Sequence, residues 1–160
     1  MHSLISNTGP ILALSGTGHL ELIKHLYGNV TVPVAVHNEL THGGGSGLGL
    51  DAYTKADWID VETECDVDPL LLAQLDSGES AVIALALQRK TASVLIDERR
   101  ARKIARQVYG LNVVGTVRIL LESKNAGLID NVGIILGMMR SNGYWIHDTI
   151  VDLALRAANE

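Results

Sequence analysis

Five side chains carry oxygens that could act together on one substrate: Asn7, Glu39, Glu79, Asp97 and Glu98. They are far apart in sequence, so only a fold that returns the chain repeatedly to one edge could gather them. Asn7, Glu79, Asp97 and Glu98 fall at the ends of expected strands or early in the helices that follow. Glu39 lies about two turns inside its own expected helix. Such a cluster offers oxygen alone, with no thiolate or imidazole at ligand spacing, and suits Mg²⁺ or Mn²⁺ rather than zinc. His37, Glu39 and His42 do not change this, because the two histidines are five positions apart, point to different faces and do not make an HExxH pair. His2, His19, His25 and His147 are scattered and read as surface or satisfied core residues.

Each acid also has an ordinary structural use. Asp76-Ser77-Gly78-Glu79 fits a capping box with Asp76 as N-cap, and Asp97 fits the N-cap of a helix from Glu98 to Tyr109. Taken singly, capping is the simpler reading. Two acids brought to one edge weigh the other way, because carboxylates crowd together mainly to hold a metal or to share a proton.

The elements that would position these groups are organised around Leu75 to Arg99. Ser77 to Lys90 reads as a helix whose middle, Ala81 to Leu87, is apolar all round and therefore buried. Ser93 to Asp97 reads as a short buried strand of a parallel sheet. A helix followed by a strand of similar length returns the chain to its starting edge, which places Glu79 and Asp97 along the side where open α/β folds hold ligands. Further strands are expected at Leu4 to Ser6, Val30 to Val32, Trp58 to Val61 and Asn112 to Val114. Helices are expected after Pro10 and over His19 to Tyr27, Pro33 to Leu40, Asp51 to Asp57 and Leu70 to Leu75. They continue over Glu98 to Tyr109, Thr116 to Asn125, Val132 to Ser141 and Asp148 to Ala158. HGGGSGLG, from His42 to Gly49, lacks the Lys-Ser/Thr of a phosphate loop and reads as a mobile surface loop. This alternation argues an α/β domain with a mainly parallel sheet.

The chain has 160 residues and 47% hydrophobic content, enough for one domain with a substantial core, with residues 127–160 as a helical extension packed on it. A net charge of -5 argues against broad attraction to nucleic acid, so a polyanion would have to meet a local basic patch or metal ions. Such a patch exists: Arg99, Arg100, Arg102, Lys103 and Arg106 form one run, readable as a solvated helix face or as a grip for phosphates. The single cysteine, Cys65, leaves no intramolecular disulfide. With no signal peptide pattern and no membrane span in view, the chain reads as cytoplasmic. Ile150, Val151, Ala154 and Leu155 make an apolar stripe on the last helix that suggests a homodimer.

Several short motifs together resemble the PIN domain, and more narrowly the PIN-like proteins close to the toxins of VapBC-type toxin-antitoxin pairs. They are Ser6-Asn7-Thr8-Gly9-Pro10-Ile11, Val32-Pro33 with Glu39-Leu40, Leu75-Asp76-Ser77-Gly78-Glu79-Ser80-Ala81, Leu95-Ile96-Asp97-Glu98-Arg99, and Val114-Gly115-Thr116. The resemblance implies a three-layer α/β/α sandwich and hydrolysis of RNA phosphodiesters with Mg²⁺ or Mn²⁺, held in check by a small antitoxin. It also implies that Asn7, Glu39, Glu79 and Asp97 hold the metal, with Glu98 a further oxygen, and that Glu39, Glu79 and Asp97 are the catalytic carboxylates. Thr8 would bond phosphate or water at the metal, and Arg99 and Arg100 would meet substrate phosphates. Asn7 stands where most of that family has Asp, and it offers a neutral carbonyl oxygen without charge. Two rival classes remain: a non-catalytic PIN-like module that binds RNA or a protein, and a response-regulator-like domain. The latter needs a strand-end acid where Asn7 stands.

Overall fold

Short aliphatic runs, each stopped by a cap or turn, build a five-stranded sheet in which every pairing is parallel. The structure is a computed structural model and describes residues 3–42, 49–90 and 92–160. The strands are β1 (Leu4–Ser6), β2 (Val30–Pro33), β3 (Ile59–Glu62), β4 (Ser93–Leu95) and β5 (Val113–Val114), in the order β3-β2-β1-β4-β5. β1, β2 and β4 are buried at every residue, as strands covered on both faces must be. The edge strand β3 is more open and carries Asp60 and Glu62, charges that discourage pairing with another chain.

The flanking helices are α1 (Thr8–Gly16), α2 (Glu21–Tyr27), α3 (Val34–His42), α4 (Leu50–Thr54), α5 (Pro69–Leu72), α6 (Ser77–Arg89), α7 (Arg99–Gln107), α8 (Thr116–Asn125), α9 (Val132–Ser141) and α10 (Asp148–Ala157). The expected α/β class is therefore observed, with the sheet parallel throughout. Part of the loop expected over His42 to Gly49, residues 43–48, lies outside the described residues. Among the described residues, no helix is long and apolar enough to cross a membrane.

α6 is the central helix. Asp76 Oδ1 accepts from the Glu79 N–H at 2.8 Å while Glu79 Oε2 accepts from the Asp76 N–H at 3.2 Å, so both halves of the capping box are made. The helix is buried continuously from Gly78 to Ala86, but Leu87, expected inside, is 37% exposed because the last turn runs out past the core. Beyond it, β4 ends at Leu95, although the Ile96 N–H still reaches the Val114 carbonyl at 3.0 Å. The cap of α7 is Glu98 and not Asp97: Glu98 accepts from the N–H groups of Arg100 (3.0 Å) and Ala101 (2.8 Å). Asp97 is engaged elsewhere, which leaves the next acid to close the helix end.

The last two helices are fastened by a carboxylate. Glu160 accepts from the Val132 N–H (2.8 Å) and Gly133 N–H (3.0 Å) at the start of α9, and from Lys124 Nζ (2.8 Å). Lys124 also donates to the Ala158 carbonyl at 2.7 Å, so one lysine ties α8 to the end of α10. Anion, helix N-terminus and ammonium favour one another here. On α10, Ala154 is buried and Val151 and Leu155 are half-buried, so the exposed apolar residues are Ile150 and Leu153. The stripe expected from sequence is therefore only partly open.

The donors around Glu160 pull its carboxyl down to about 2, Lys124 first and the two backbone N–H groups after it. A depressed folded-state value gives stability that is complete above the ordinary carboxylate range and is lost as pH falls through about 2. Glu160→Gln is expected to lower the melting temperature at neutral pH, and the difference from the parent protein should shrink steadily below about pH 5. Thermal melts followed by circular dichroism from pH 7 to pH 2 check this.

Candidate active site

The chain leaves β1 at Asn7, whose backbone N–H donates to the Leu95 carbonyl at 3.0 Å. Asn7 has the extended backbone of an N-cap residue, yet its side chain makes no capping bond. Its Oδ1 is buried and has no partner among the described residues, an expensive arrangement for an acceptor unless something else is meant to meet it. One residue on, Thr8 Oγ1 donates to Glu39 Oε2 at 2.7 Å, which fixes the carboxylate that α3 carries in from the other side.

Gly78, at the start of α6, explains how close these groups come. A Cβ at that position would lie 2.5 Å from Glu39 Oε1 and 3.3 Å from Asn7 Oδ1. The free oxygens of Asn7 and Glu39 thus face the same space, kept open because residue 78 has no side chain. Glu79 follows, itself only 7% exposed. Burial pushes its carboxyl up first, the Asp76 charge adds to this, and Glu98 and Glu39 add further, against the Asp76 N–H that favours ionisation. Asn7, Thr8 and Glu39 therefore lie together beside Gly78, and the Glu39 and Glu98 charges both act on Glu79 although the Glu98 carboxylate is spent on capping α7.

Asp97 is satisfied in a different way. Its Oδ1 accepts from the Thr116 N–H at 2.7 Å, and its Oδ2 accepts from both the Thr116 hydroxyl and the Tyr144 hydroxyl. Burial and the Asp97 charge both push the Tyr144 phenol up, so it remains a donor. A Cβ on Gly9 would stand 3.4 Å from that hydroxyl, so Tyr144 lies against the start of α1 as well. On the opposite side Arg102 turns inward from α7 and donates to the Ile96 carbonyl at 2.7 Å. Burial lowers its guanidinium while the Asp97 charge opposes this. A Cβ on Gly115 would meet Arg102 Nη1 at 2.7 Å and Asp97 Oδ1 at 3.2 Å, so the glycine lets cation and acid approach.

Of the residues expected at the site, Asn7, Thr8 and Glu39 lie together beside Gly78, Glu79 is bonded to Asp76 in the capping box, and Asp97 has its own set of partners. Arg99 and Arg100 are exposed at the start of α7. Among the described residues, no three His, Cys, Asp or Glu side chains form a group able to hold a metal. Sequence reasoning missed Tyr144 and the role of Gly78, and it placed Arg102 in the basic run, whereas its guanidinium is turned inward to the Ile96 carbonyl. Thr116 could have been found, since Val114-Gly115-Thr116 is one of the motifs, but Tyr144 is 47 positions from Asp97 and carries no local signal.

The donor chemistry fits a hard divalent cation. All donors are oxygens, Asn7 Oδ1 is unpartnered, Gly78 leaves room between it and Glu39, and a cation would relieve the like charges that crowd Glu79. Mg²⁺ in particular is often held by one or two carboxylates with water completing its shell, so a group of three acids is not required.

A family model described as PIN domain (DUF3368) matches residues 3–160. Neither the curated proteins nor the solved structures compared with the chain gave a match. The match runs over every strand and helix of the described residues, and its description agrees with the all-parallel sheet. The chain belongs to the PIN-domain family.

Proposed function

We propose that the protein is a Mg²⁺- or Mn²⁺-dependent endoribonuclease that hydrolyses RNA phosphodiesters, and that it is the toxin of a pair restrained by a small antitoxin. The observation that carries the nuclease reading is the space beside Gly78, faced by an unpartnered Asn7 oxygen and a free Glu39 oxygen with the crowded carboxyl of Glu79 next to it. The toxin role rests on the narrower resemblance of the motifs.

In this reading Asn7, Glu39, Glu79 and Asp97 hold the cation, with Glu98 a further oxygen. When bound, the cation supplies an acidified water and a counter-charge for the phosphate. The chain's own groups then orient and balance charge. Thr8 keeps the Glu39 carboxylate turned toward the site through its 2.7 Å bond. Thr116 and Tyr144 fix the plane of the Asp97 carboxylate. Arg99 and Arg100, just beyond Asp97, neutralise substrate phosphates.

A second reading is favoured by one observation: both oxygens of Asp97 already accept hydrogen bonds, and Asn7 brings no charge. In that reading the chain binds RNA or a protein without cleaving it. Metal titration separates the two.

Asn7→Asp adds a negative charge where the cation would sit and should tighten Mn²⁺ roughly tenfold by calorimetry, about 1.4 kcal/mol. Asp97→Asn should weaken it. Unchanged affinity in both variants would replace the nuclease by the binding module. Gly78→Ala should fill the space between Asn7 and Glu39 and reduce Mn²⁺ affinity about 10- to 100-fold. The helical signal should persist in that variant, because alanine is favoured over glycine inside a helix by about 1 kcal/mol. The exposed Ile150 and Leu153 support the homodimer proposal. Leu153→Lys is expected to reduce a two-chain light-scattering mass to that of one chain.

A further inference from the structure

α7 turns its cations outward. Arg99, Arg100, Lys103 and Arg106 are exposed, Ala101 and Ala105 are buried on the opposite face, and none of the four cations has an ion pair among the described residues. From Arg99 to Arg106 the stripe is about 10 Å long. In a chain of net charge -5, such a local concentration is complementary to a polyanion.

A second feature borders the same edge. The segment between α9 and α10 sends Tyr144 in to Asp97, two residues before the stripe begins, and leaves Trp145 79% exposed, more than any other large apolar side chain described. The indole stands edge-on to His147, with ring centroids 5.5 Å apart and planes at 85°. Trp145, His147, Tyr144, Arg140 and Asp148 line an open cavity of about 370 Å³. Arg140 is held in place there by the Ile146 carbonyl and by Asp148 at 2.7 Å, so the wall behind the indole is braced. Tyr144 is common to this cavity and to the Asp97 carboxylate.

We infer that Trp145 is the stacking platform for a base of a single-stranded nucleic acid whose phosphates lie along Arg99, Arg100, Lys103 and Arg106. This inference rests on the proposed ribonuclease reading and adds Trp145, Lys103 and Arg106 to the groups that would meet its substrate. Trp145 follows Tyr144 directly, so a strand with one phosphate beside Asp97 has a neighbouring base within reach of the indole. Stacking on an exposed ring with cations along the backbone is how sequence-tolerant single-strand binding is built, whereas a paired base in a duplex does not offer its face. The two features therefore select a single strand.

The test measures binding in EDTA, so that no metal and no cleavage enter. A fluorescently labelled oligoadenylate is titrated with the full chain and followed by anisotropy and by quenching of the indole emission. Trp145→Ala is expected to weaken binding by about tenfold or more, and Trp145→Phe to retain most of it. Lys103→Gln is expected to lower the slope of log affinity against log salt by about 0.7. Equal affinity of Trp145→Ala and the parent chain overturns the inference, as does a loss of self-association in that variant without any loss of RNA binding. Cleavage with Mn²⁺ is then measured separately. A parent chain that cleaves RNA while Trp145→Ala binds normally sinks the platform alone. Trp145-dependent binding without cleavage supports the platform and removes the nuclease.

Discussion

The hydrogen bond from the Asn7 N–H to the Leu95 carbonyl ends the ladder between β1 and β4, and the site is arranged around that end point. β1 and β4 are neighbours at the centre of the sheet, but the chain winds from β1 outward to β2 and β3 on one side and from β4 to β5 on the other. At such a reversal the connections after the two central strands diverge and leave a crevice between them. Asn7 follows one of those strands and Asp97 the other. Neither residue would be near the other's partners in a sheet wound in a single direction.

The crevice is electrostatically divided. On the α3 and α6 side, Glu39 accepts from Thr8 and Glu79 from the Asp76 N–H, the Asn7 amide oxygen has no partner, and burial pushes the Glu79 carboxyl up. On the α8 side, Asp97 is provided with a backbone donor, two hydroxyls and a nearby guanidinium. A buried acceptor without a partner, close to a carboxyl pushed up by burial, is the kind of local conflict found where a place is kept for a ligand.

Much of the fold was legible because its signals are local. Pro33 and Pro69 mark helix starts, Asp76 and Glu79 form their box within four residues, and the short aliphatic runs become strands where expected. Of the residues named from the sequence, Asn7, Thr8 and Glu39 lie together beside Gly78, because the ends of β1 and the helices after it carry them there. The division of labour between Asp97 and Glu98 was not legible, because the cap of α7 is decided by Thr116 and Tyr144, which occupy Asp97 from elsewhere in the chain. On α10 the apolar stripe was visible, but packing against α8 and α9 took Ala154 and left Ile150 and Leu153 outside. Periodicity identifies a face, while the size of its residues decides how the helix is turned.

The sheet order also bears on how the protein emerges from a ribosome. β1 is made before β2 and β3, yet one of its two flanking strands, β4, begins only at Ser93 and is preceded by the helix that covers them both. Until that point β1 has its backbone groups unpaired on the side that β4 will occupy. Non-local parallel pairing of this kind is slow to form and prone to sticking to other chains. The edge that joins Asn7 to Asp97 therefore comes into existence only once β4 has been made and has paired with β1.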